Sequence, residues 1–187
     1  MTNMKNKLRL VIFFIFIFTL SLIMFIGGYR SLLKVIYPIK YENIVNEVSK
    51  EYNVKSELIY AIIKTESGFD EKAKSSAGAL GLMQITPETF EWLKKNKKGD
   101  GAPEEILNPN VNIRYGVFFL SILIEKYRSE FLVLCAYNAG MSAVDRWIKE
   151  GKISESSEKI DLIPYRETRK YVKRVKNSKE TYKMLYF

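Results

Sequence analysis

The feature that most constrains this 187-residue chain is an uncharged apolar run close to its N-terminus. From Leu10 to Ile26 the only polar side chains are two hydroxyls. With the glycine pair that follows, the run approaches the roughly 20 residues that a helix needs to cross a bilayer. The sequence therefore predicts a transmembrane anchor over residues 10–28. A short cytoplasmic segment, 1–9, would precede it, and a basic linker, 29–40, would follow.

The basic residues before the run predict the orientation of this anchor. Lys5, Lys7 and Arg9 place the N-terminus in the cytoplasm by the positive-inside rule. The alternative is a cleaved signal peptide, which would usually have a shorter apolar region and a small-residue cleavage site. No clear site of that kind follows the run, and no cysteine stands directly after it that could carry a lipid. We therefore predict a single-pass protein of the cell membrane, with its remaining residues outside the cytoplasm.

Composition excludes several kinds of site. The chain has no histidine, which excludes a His-ligated metal and a Ser-His or Cys-His dyad. Its one cysteine, Cys135, excludes an internal disulfide and a CxxC site. The net charge of +9 indicates acidic surroundings, but it does not choose among nucleic acid, anionic lipid and an anionic polymer.

Residues 41–187 carry apolar side chains at helical spacings of three and four. Thr86-Pro87 and Asn108-Pro109 each combine an N-cap with a proline suited to the first helical position. Residues 138–140 should interrupt one helix, and Pro164 should open the last one. Because no alternation typical of strands is visible, the sequence predicts an all-α domain that is large enough to close a core.

One carboxylate in this domain stands out. A helix capped by Ser56 is predicted to end at Glu66, where the helix dipole favours cations instead of anions. Glu66 could be a solvated surface acid. Alternatively, Phe69, Leu82 and Met83 make its surroundings apolar, and desolvation then raises the carboxyl pKa so that Glu66 can act as a general acid.

Three further segments offer polar groups. Gln84 supplies a neutral donor and acceptor suited to sugar hydroxyls or acetamides. The pair Tyr137-Asn138 lies at the predicted interruption, as a kink with a buried tyrosine or as part of a cleft. Segment 163–168 predicts a capped helix start with an internal ion pair. The basic side chains beyond it are predicted to be solvated, with attraction to an anionic cell wall as a secondary effect: Arg169, Lys170, Lys173, Arg174 and Lys176.

Four motifs occur in a fixed order: ESGFD from residue 66, SxxGALGLMQITP from 75, AYNAG from 136 and IPYRETRKYV from 163. Together they resemble the catalytic domain of the soluble lytic transglycosylase family over about residues 41–178. The resemblance does not include the apolar run. It implies a lysozyme-like, mostly helical catalytic domain over 41–187 that acts on peptidoglycan.

The resemblance also implies roles for individual residues. Glu66 matches the single catalytic acid/base of the family, and Ser75 matches a small polar residue near the sugar N-acetyl group. The substrate-binding positions that the family pattern implies are Ser75, Gln84, Tyr137, Asn138 and Glu167. The implied reaction cleaves the bond between N-acetylmuramic acid and N-acetylglucosamine and leaves 1,6-anhydro ends, without a metal or cofactor.

Two alternatives remain. A lysozyme-like muramidase would hydrolyse the same bond and commonly needs a second carboxylate; Asp70 and Asp145 are available, although neither lies in a nucleophile motif. A non-catalytic peptidoglycan-binding scaffold is the other, and the intact Glu66, Gln84 and Tyr137 argue against it. The predicted partners are glycan strands and the membrane, while nucleic acid is disfavoured because the basic face would lie outside the cytoplasm. The sequence names no protein partner.

Overall fold

The computed structural model describes the backbone of residues 2–96, 103–154, 156 and 158–187, and their side chains except at 2–9, 11, 12, 103 and 104. The chain divides into two units, Met1–Pro38 and Ile39–Phe187.

The first unit is a single helix, α1, from Thr2 to Ile36. Within it, Phe13–Ile36 is long and apolar enough to cross a membrane, as judged by length and composition. The helix continues through the first part of the predicted linker 29–40 and ends at Ile36, just before Pro38. Most of its described apolar side chains are exposed.

The second unit contains seven α-helices in its described part: α2 (Glu42–Tyr52), α3 (Ser56–Glu66), α4 (Pro87–Asn96), α5 (Pro109–Tyr127), α6 (Glu130–Ala139), α7 (Met141–Lys149) and α8 (Arg166–Tyr186). Two 3₁₀ turns, Pro103–Leu107 and Ile160–Leu162, connect some of them. The described residues contain no β-strand, only isolated bridges from Leu80 to Lys74 and Ile85. The predicted all-α class is therefore confirmed.

The predicted caps have mixed outcomes. Asn108 accepts hydrogen bonds from the backbone N–H groups of Asn110 and Val111, and Thr86 Oγ1 accepts one from Thr89, so both helix starts are confirmed. Ser56 is instead the first helical residue, and the Lys55 carbonyl accepts the first helical bonds. The last helix begins at Arg166, two residues after Pro164, because Tyr165 is still extended.

Helix α3 is the central element of the core. Every residue from Leu58 to Ile63 is buried, so this helix is covered on all sides. Helix α8 packs against it in the opposite direction: Tyr60 stacks on Tyr182, near the end of α8, while Glu66 lies beside Tyr171 in its first half. This antiparallel packing brings residues that are about a hundred positions apart in the sequence to the C-terminal end of α3.

Candidate active site

Glu66 lies at the C-terminal end of α3 and is only partly exposed. Burial raises the pKa of its carboxyl to about 7. The Tyr171 hydroxyl and the charge of Arg174 oppose this shift, and the charge of Glu167 adds to it. Near neutral pH the carboxyl is therefore divided between its protonated and ionised forms, which suits a group that must both give and take a proton.

Helix α8 supplies three of the groups that act on Glu66. Glu167, Tyr171 and Arg174 follow one another at helical spacings of four and three, so they share one face. Tyr171 is buried, whereas Glu167 and Arg174 are exposed. Arg174 is solvated as predicted, but its charge still reaches the carboxyl. Sequence reasoning missed Tyr171 and Arg174 as site residues, although their spacing from Glu167 could have indicated them.

Tyr171 has an unusual polar environment. Its hydroxyl is buried without a fully formed hydrogen bond to any described residue, yet it acts on Glu66 as a weak donor and lowers the carboxyl pKa. Burial and the Glu66 charge hold the pKa of Tyr171 well above its usual range. The phenol consequently remains protonated and stays a donor towards the carboxylate.

Tyr137 reaches the same site from the end of α6. Its ring is parallel to that of Tyr171 at 6.5 Å between centroids, and its hydroxyl donates to the Met83 carbonyl at 2.8 Å. Burial, and then the negative charge of Glu66, hold its pKa well above the usual range. The structure thus places Tyr137 beside the carboxyl and also uses it to fix the 67–86 loop.

Asn138 is turned towards α8. Its Oδ1 accepts a hydrogen bond of 2.8 Å from the hydroxyl of Thr168, which is buried. Helix α6 then ends before Gly140, whose φ of 84° is in the left-handed region. The predicted interruption is confirmed. Asn138 joins the end of α6 to the start of α8, directly beside Glu167.

The side chain of Gln84 stabilises the loop after Glu66 from within. The side-chain Nε2 donates to the carbonyls of Ala73 at 3.1 Å and Gly81 at 2.8 Å. The amide donors are thereby occupied, and the Oε1 acceptor is what remains for a ligand. The sequence predicted both a donor and an acceptor for sugar groups. In the structure, only the Oε1 acceptor of Gln84 remains for such groups.

Ser75 lies in the same loop and is partly exposed. Its Oγ accepts a hydrogen bond of 3.0 Å from the backbone N–H of Ala79, and the two residues also pair through their backbones. The hydroxyl proton stays available for donation. Ser75 therefore shapes a tight turn and can still offer one donor to a ligand.

Asn112 of α5 holds the loop in place. It is almost fully buried, accepts from Met83 N–H at 2.7 Å, and donates to the carbonyls of Leu80 and Ile106. A Cβ at Gly81 would lie 2.5 Å from Asn112 Nδ2, so only glycine fits there. Sequence reasoning missed Asn112, because nothing in its local sequence distinguishes a buried brace from a surface amide.

The other candidate carboxylates are engaged elsewhere. Asp70 Oδ1 accepts from the backbone N–H of Lys72 at 2.9 Å. Asp145 pairs with Lys126 at 2.6 Å and accepts from the Tyr127 hydroxyl at 2.8 Å. Burial raises the pKa of Glu66 into the range needed for acid/base chemistry.

Comparison with known proteins relates this arrangement to one family. A family model described as the transglycosylase SLT domain matches residues 43–160. The chain is 31% identical over 144 residues to the soluble lytic murein transglycosylase of Escherichia coli, a match that spans 74% of this chain and 22% of the relative. It is 31% identical over 166 residues to the membrane-bound lytic murein transglycosylase C of Actinobacillus pleuropneumoniae, spanning 76% of this chain and 46% of the relative.

Two solved structures are similar as well. The 70-kDa soluble lytic transglycosylase from Escherichia coli has a TM-score of 0.73 and 28% identity, over 81% of this chain and 25% of that protein. An inactive mutant of the lytic transglycosylase Slt from Pseudomonas aeruginosa has a TM-score of 0.72 and 29% identity, over 82% of this chain and 25% of that protein. This chain therefore spans less than half the length of each of these relatives.

Proposed function

The chain belongs to the transglycosylase SLT domain family, and from that premise we propose that it is a membrane-anchored peptidoglycan lytic transglycosylase. The observation that carries the proposal is the carboxyl of Glu66, whose pKa is raised to about 7 by burial and which two tyrosines flank. The substrate would be the β-1,4 bond between N-acetylmuramic acid and N-acetylglucosamine in a glycan strand.

In the first step, protonated Glu66 gives its proton to the glycosidic oxygen as the C1–O bond breaks. The substrate's own N-acetyl oxygen would assist departure. The donor hydroxyl of Tyr171 and the positive charge of Arg174 then favour the carboxylate that this step leaves behind. A group that eases the loss of the proton from Glu66 helps the leaving sugar depart.

In the second step, the Glu66 carboxylate takes the proton of the muramyl C6 hydroxyl, and the C6 oxygen bonds to C1. This closes the 1,6-anhydro ring and restores the protonated acid. One residue is thereby acid and then base, so the proton count is balanced without water. Glu167 supports the return of the proton, because its negative charge raises the Glu66 pKa.

The remaining cleft groups would position the sugars. Gln84 Oε1 can accept from an amide or hydroxyl, and the hydroxyl proton of Ser75 can be donated to an N-acetyl carbonyl. Tyr137 and Asn138 would act as positioning residues, since their polar groups are used to hold the 67–86 loop and α8 in place.

Analysis of the products tests this function against the hydrolase. Full-length protein in detergent micelles is incubated with purified sacculi, and the released muropeptides are analysed by mass spectrometry. We expect anhydro-muramyl ends, each lighter by one water than a reducing end. Reducing ends would indicate a lysozyme-like muramidase, and binding without release would indicate a scaffold.

The location of the site is the second part of the proposal. Three basic residues precede the apolar segment of α1, which supports a cytoplasmic N-terminus and a second unit, Ile39–Phe187, outside the cytoplasm. A protease added to intact protoplasts should digest the second unit and spare a tag on the N-terminus. Digestion of the tag alone would reverse the orientation.

A further inference from the structure

We propose that Trp92 and Phe119 form an additional binding subsite for N-acetylhexosamine rings of a glycan strand, beyond the sugars at the scissile bond. The subsite rests on the proposed function and extends it from the cleavage of one bond to the recognition of strand length. Four aromatic rings in series carry the inference, together with the unusual position of Trp92 on its helix.

Trp92 lies on α4 between two core residues and does not share their environment. Phe90 and Leu93 are 1% and 0% exposed, whereas Trp92 is 37% exposed. A position between two buried residues of a helix points away from their common face, because successive positions differ by 100°. The largest apolar side chain of α4 is therefore presented to the solvent.

A single exposed apolar residue is common and carries no conclusion by itself. Trp92, however, is the outer member of a continuous series of rings. Its ring meets Phe119 edge to face at 6.2 Å, and Phe119 lies 5.4 Å from Tyr137. Tyr137 is in turn parallel to Tyr171, the residue that acts on Glu66. Phe119 alone thus separates the exposed indole from the tyrosines beside the catalytic carboxyl.

The exposed end of this series matches the chemistry of a sugar ring. The C–H groups of a pyranose ring form an apolar, weakly positive face, and the π-face of an aromatic ring is negative. An indole offers a large contact area and loses little conformational entropy on binding, because it has two rotatable bonds. A glycan strand is extended, so sugars next to those at Glu66 can follow the series outwards to Trp92.

The chain provides a direct spectroscopic test, because it contains two tryptophans and Trp147 is 1% exposed. The full-length Glu66→Gln variant is titrated with a hexamer of β-1,4-linked N-acetylglucosamine, and quenching of the fluorescence by acrylamide is measured. We expect the sugar to protect the exposed indole from the quencher. We also expect that the added substitution Trp92→Phe abolishes the protection. Quenching that is unchanged by saturating sugar would overturn the subsite.

Kinetics on strands of defined length provide the second test, with Glu66 intact. Trp92→Ala should raise the KM for long strands about fivefold, the order of one lost aromatic stacking contact. It should leave kcat on the shortest cleavable strand unchanged, and Trp92→Phe should restore most of the affinity. Leu107→Ala is the matched control, since Leu107 has a similar exposure of 42% but no ring. An equal effect of Leu107→Ala, or a KM independent of Trp92, would refute the subsite.

The two tests separate this inference from the proposed function. If the wild-type protein releases anhydro products while sugar neither protects Trp92 nor binds more weakly to Trp92→Ala, the subsite is wrong and the function stands. If sugar protects Trp92 while sacculi yield no anhydro product, the subsite is supported and the proposed reaction is wrong.

Discussion

Glu66 and Asp145 are both carboxylates that interact with a tyrosine hydroxyl, yet their pKa values move in opposite directions. At the end of α3, burial dominates and raises the pKa of Glu66 to about 7. Between α5 and α7, burial also acts on Asp145 in the same direction, but hydrogen bonds from Lys126 and Tyr127 outweigh it and lower the pKa. The decisive difference is a lysine in direct contact.

This difference separates a structural carboxylate from a chemical one. A carboxylate that contacts a cation is held ionised, and the pair joins two helices at the surface. Glu66 has only the more distant charge of Arg174 and the incomplete donor Tyr171. It keeps a proton near neutral pH because burial disfavours the charged carboxylate and these two groups offset that effect only in part. Four predictions test how far the environment, and not the residue type, sets these roles.

The largest expected effect is the loss of activity in Glu66→Gln. The amide keeps the size of the side chain but cannot give and recover a proton, so we expect a decrease in kcat of about 10²- to 10⁴-fold. Asp145→Asn is the matched control, because it neutralises an acid outside the cleft and should leave kcat nearly unchanged. Release of anhydro-muropeptides from sacculi is the measurement. A wild-type rate for Glu66→Gln would remove Glu66 from the mechanism.

The second prediction concerns the loss of stability that the ionised form of Glu66 causes in the folded protein. Its pKa is raised from 4.5 to about 7 on folding, so its stabilising contribution is complete below pH 4.5 and is lost as the pH rises through 7. Glu66→Gln should therefore match the wild type at pH 4.5. At pH 8 the variant should be more stable than the wild type by on the order of 2 kcal/mol in the free energy of unfolding. This is less than the full pKa shift would give, because the carboxyl is partly solvated. Urea unfolding at both pH values measures this, and equal stability at pH 8 would contradict the buried-acid assignment.

Asp145→Asn should change the free energy of unfolding with the opposite pH dependence and by a smaller amount. The lowered pKa of Asp145 gives stability above its ordinary pKa of 3.8, and this stability is lost as the pH falls through the folded value. Both partners are substantially exposed, so the loss at pH 7 should be about 0.5 kcal/mol or less. Below its folded pKa, where Asp145 is protonated in both the folded and the unfolded state, the variant and the wild type should coincide. Destabilisation that persists at low pH would show that packing, not charge, is responsible.

The smallest effects are expected from the exposed charges of α8. The rate should fall above about pH 7 as Glu66 loses its proton. Arg174→Gln should move the midpoint of this fall to higher pH, and Glu167→Gln should move it to lower pH, since their charges have opposite effects on the carboxyl. The pH–rate profile at low salt provides the midpoint independently of any change in absolute rate. Shifts in the same direction would mean that neither residue acts through its charge.

Much of the fold could be predicted from the sequence because helices are encoded locally. The spacing of apolar residues, Asn108-Pro109 and the glycine at 140 predict helix positions within a few residues. Local signals were less accurate at the start of α8, where Tyr165 remains extended after Pro164 and the helix begins at Arg166.

The candidate site was only partly predictable. Motifs predicted Glu66 as the acid/base and five residues as substrate-binding, but not how each side chain would be used. The side-chain N–H groups of Gln84 donate to the carbonyls of Ala73 and Gly81, and Asn138 Oδ1 accepts from the Thr168 hydroxyl. Such bonds join groups from different parts of the loop or from different helices, so they depend on distances that local sequence does not state.

The sequence by itself determined an apolar N-terminal helix, an all-helical second unit and a glutamate at the end of α3, since each depends on local patterns of a few turns. Only the tertiary structure decided that this glutamate retains a proton near pH 7. Its pKa is set by the antiparallel packing of α3 on α8, which buries the carboxyl and brings Tyr171, Arg174 and Glu167 near it. Desolvation and Coulomb interactions depend on distance in space, and residues a hundred positions apart acquire that distance when the chain folds.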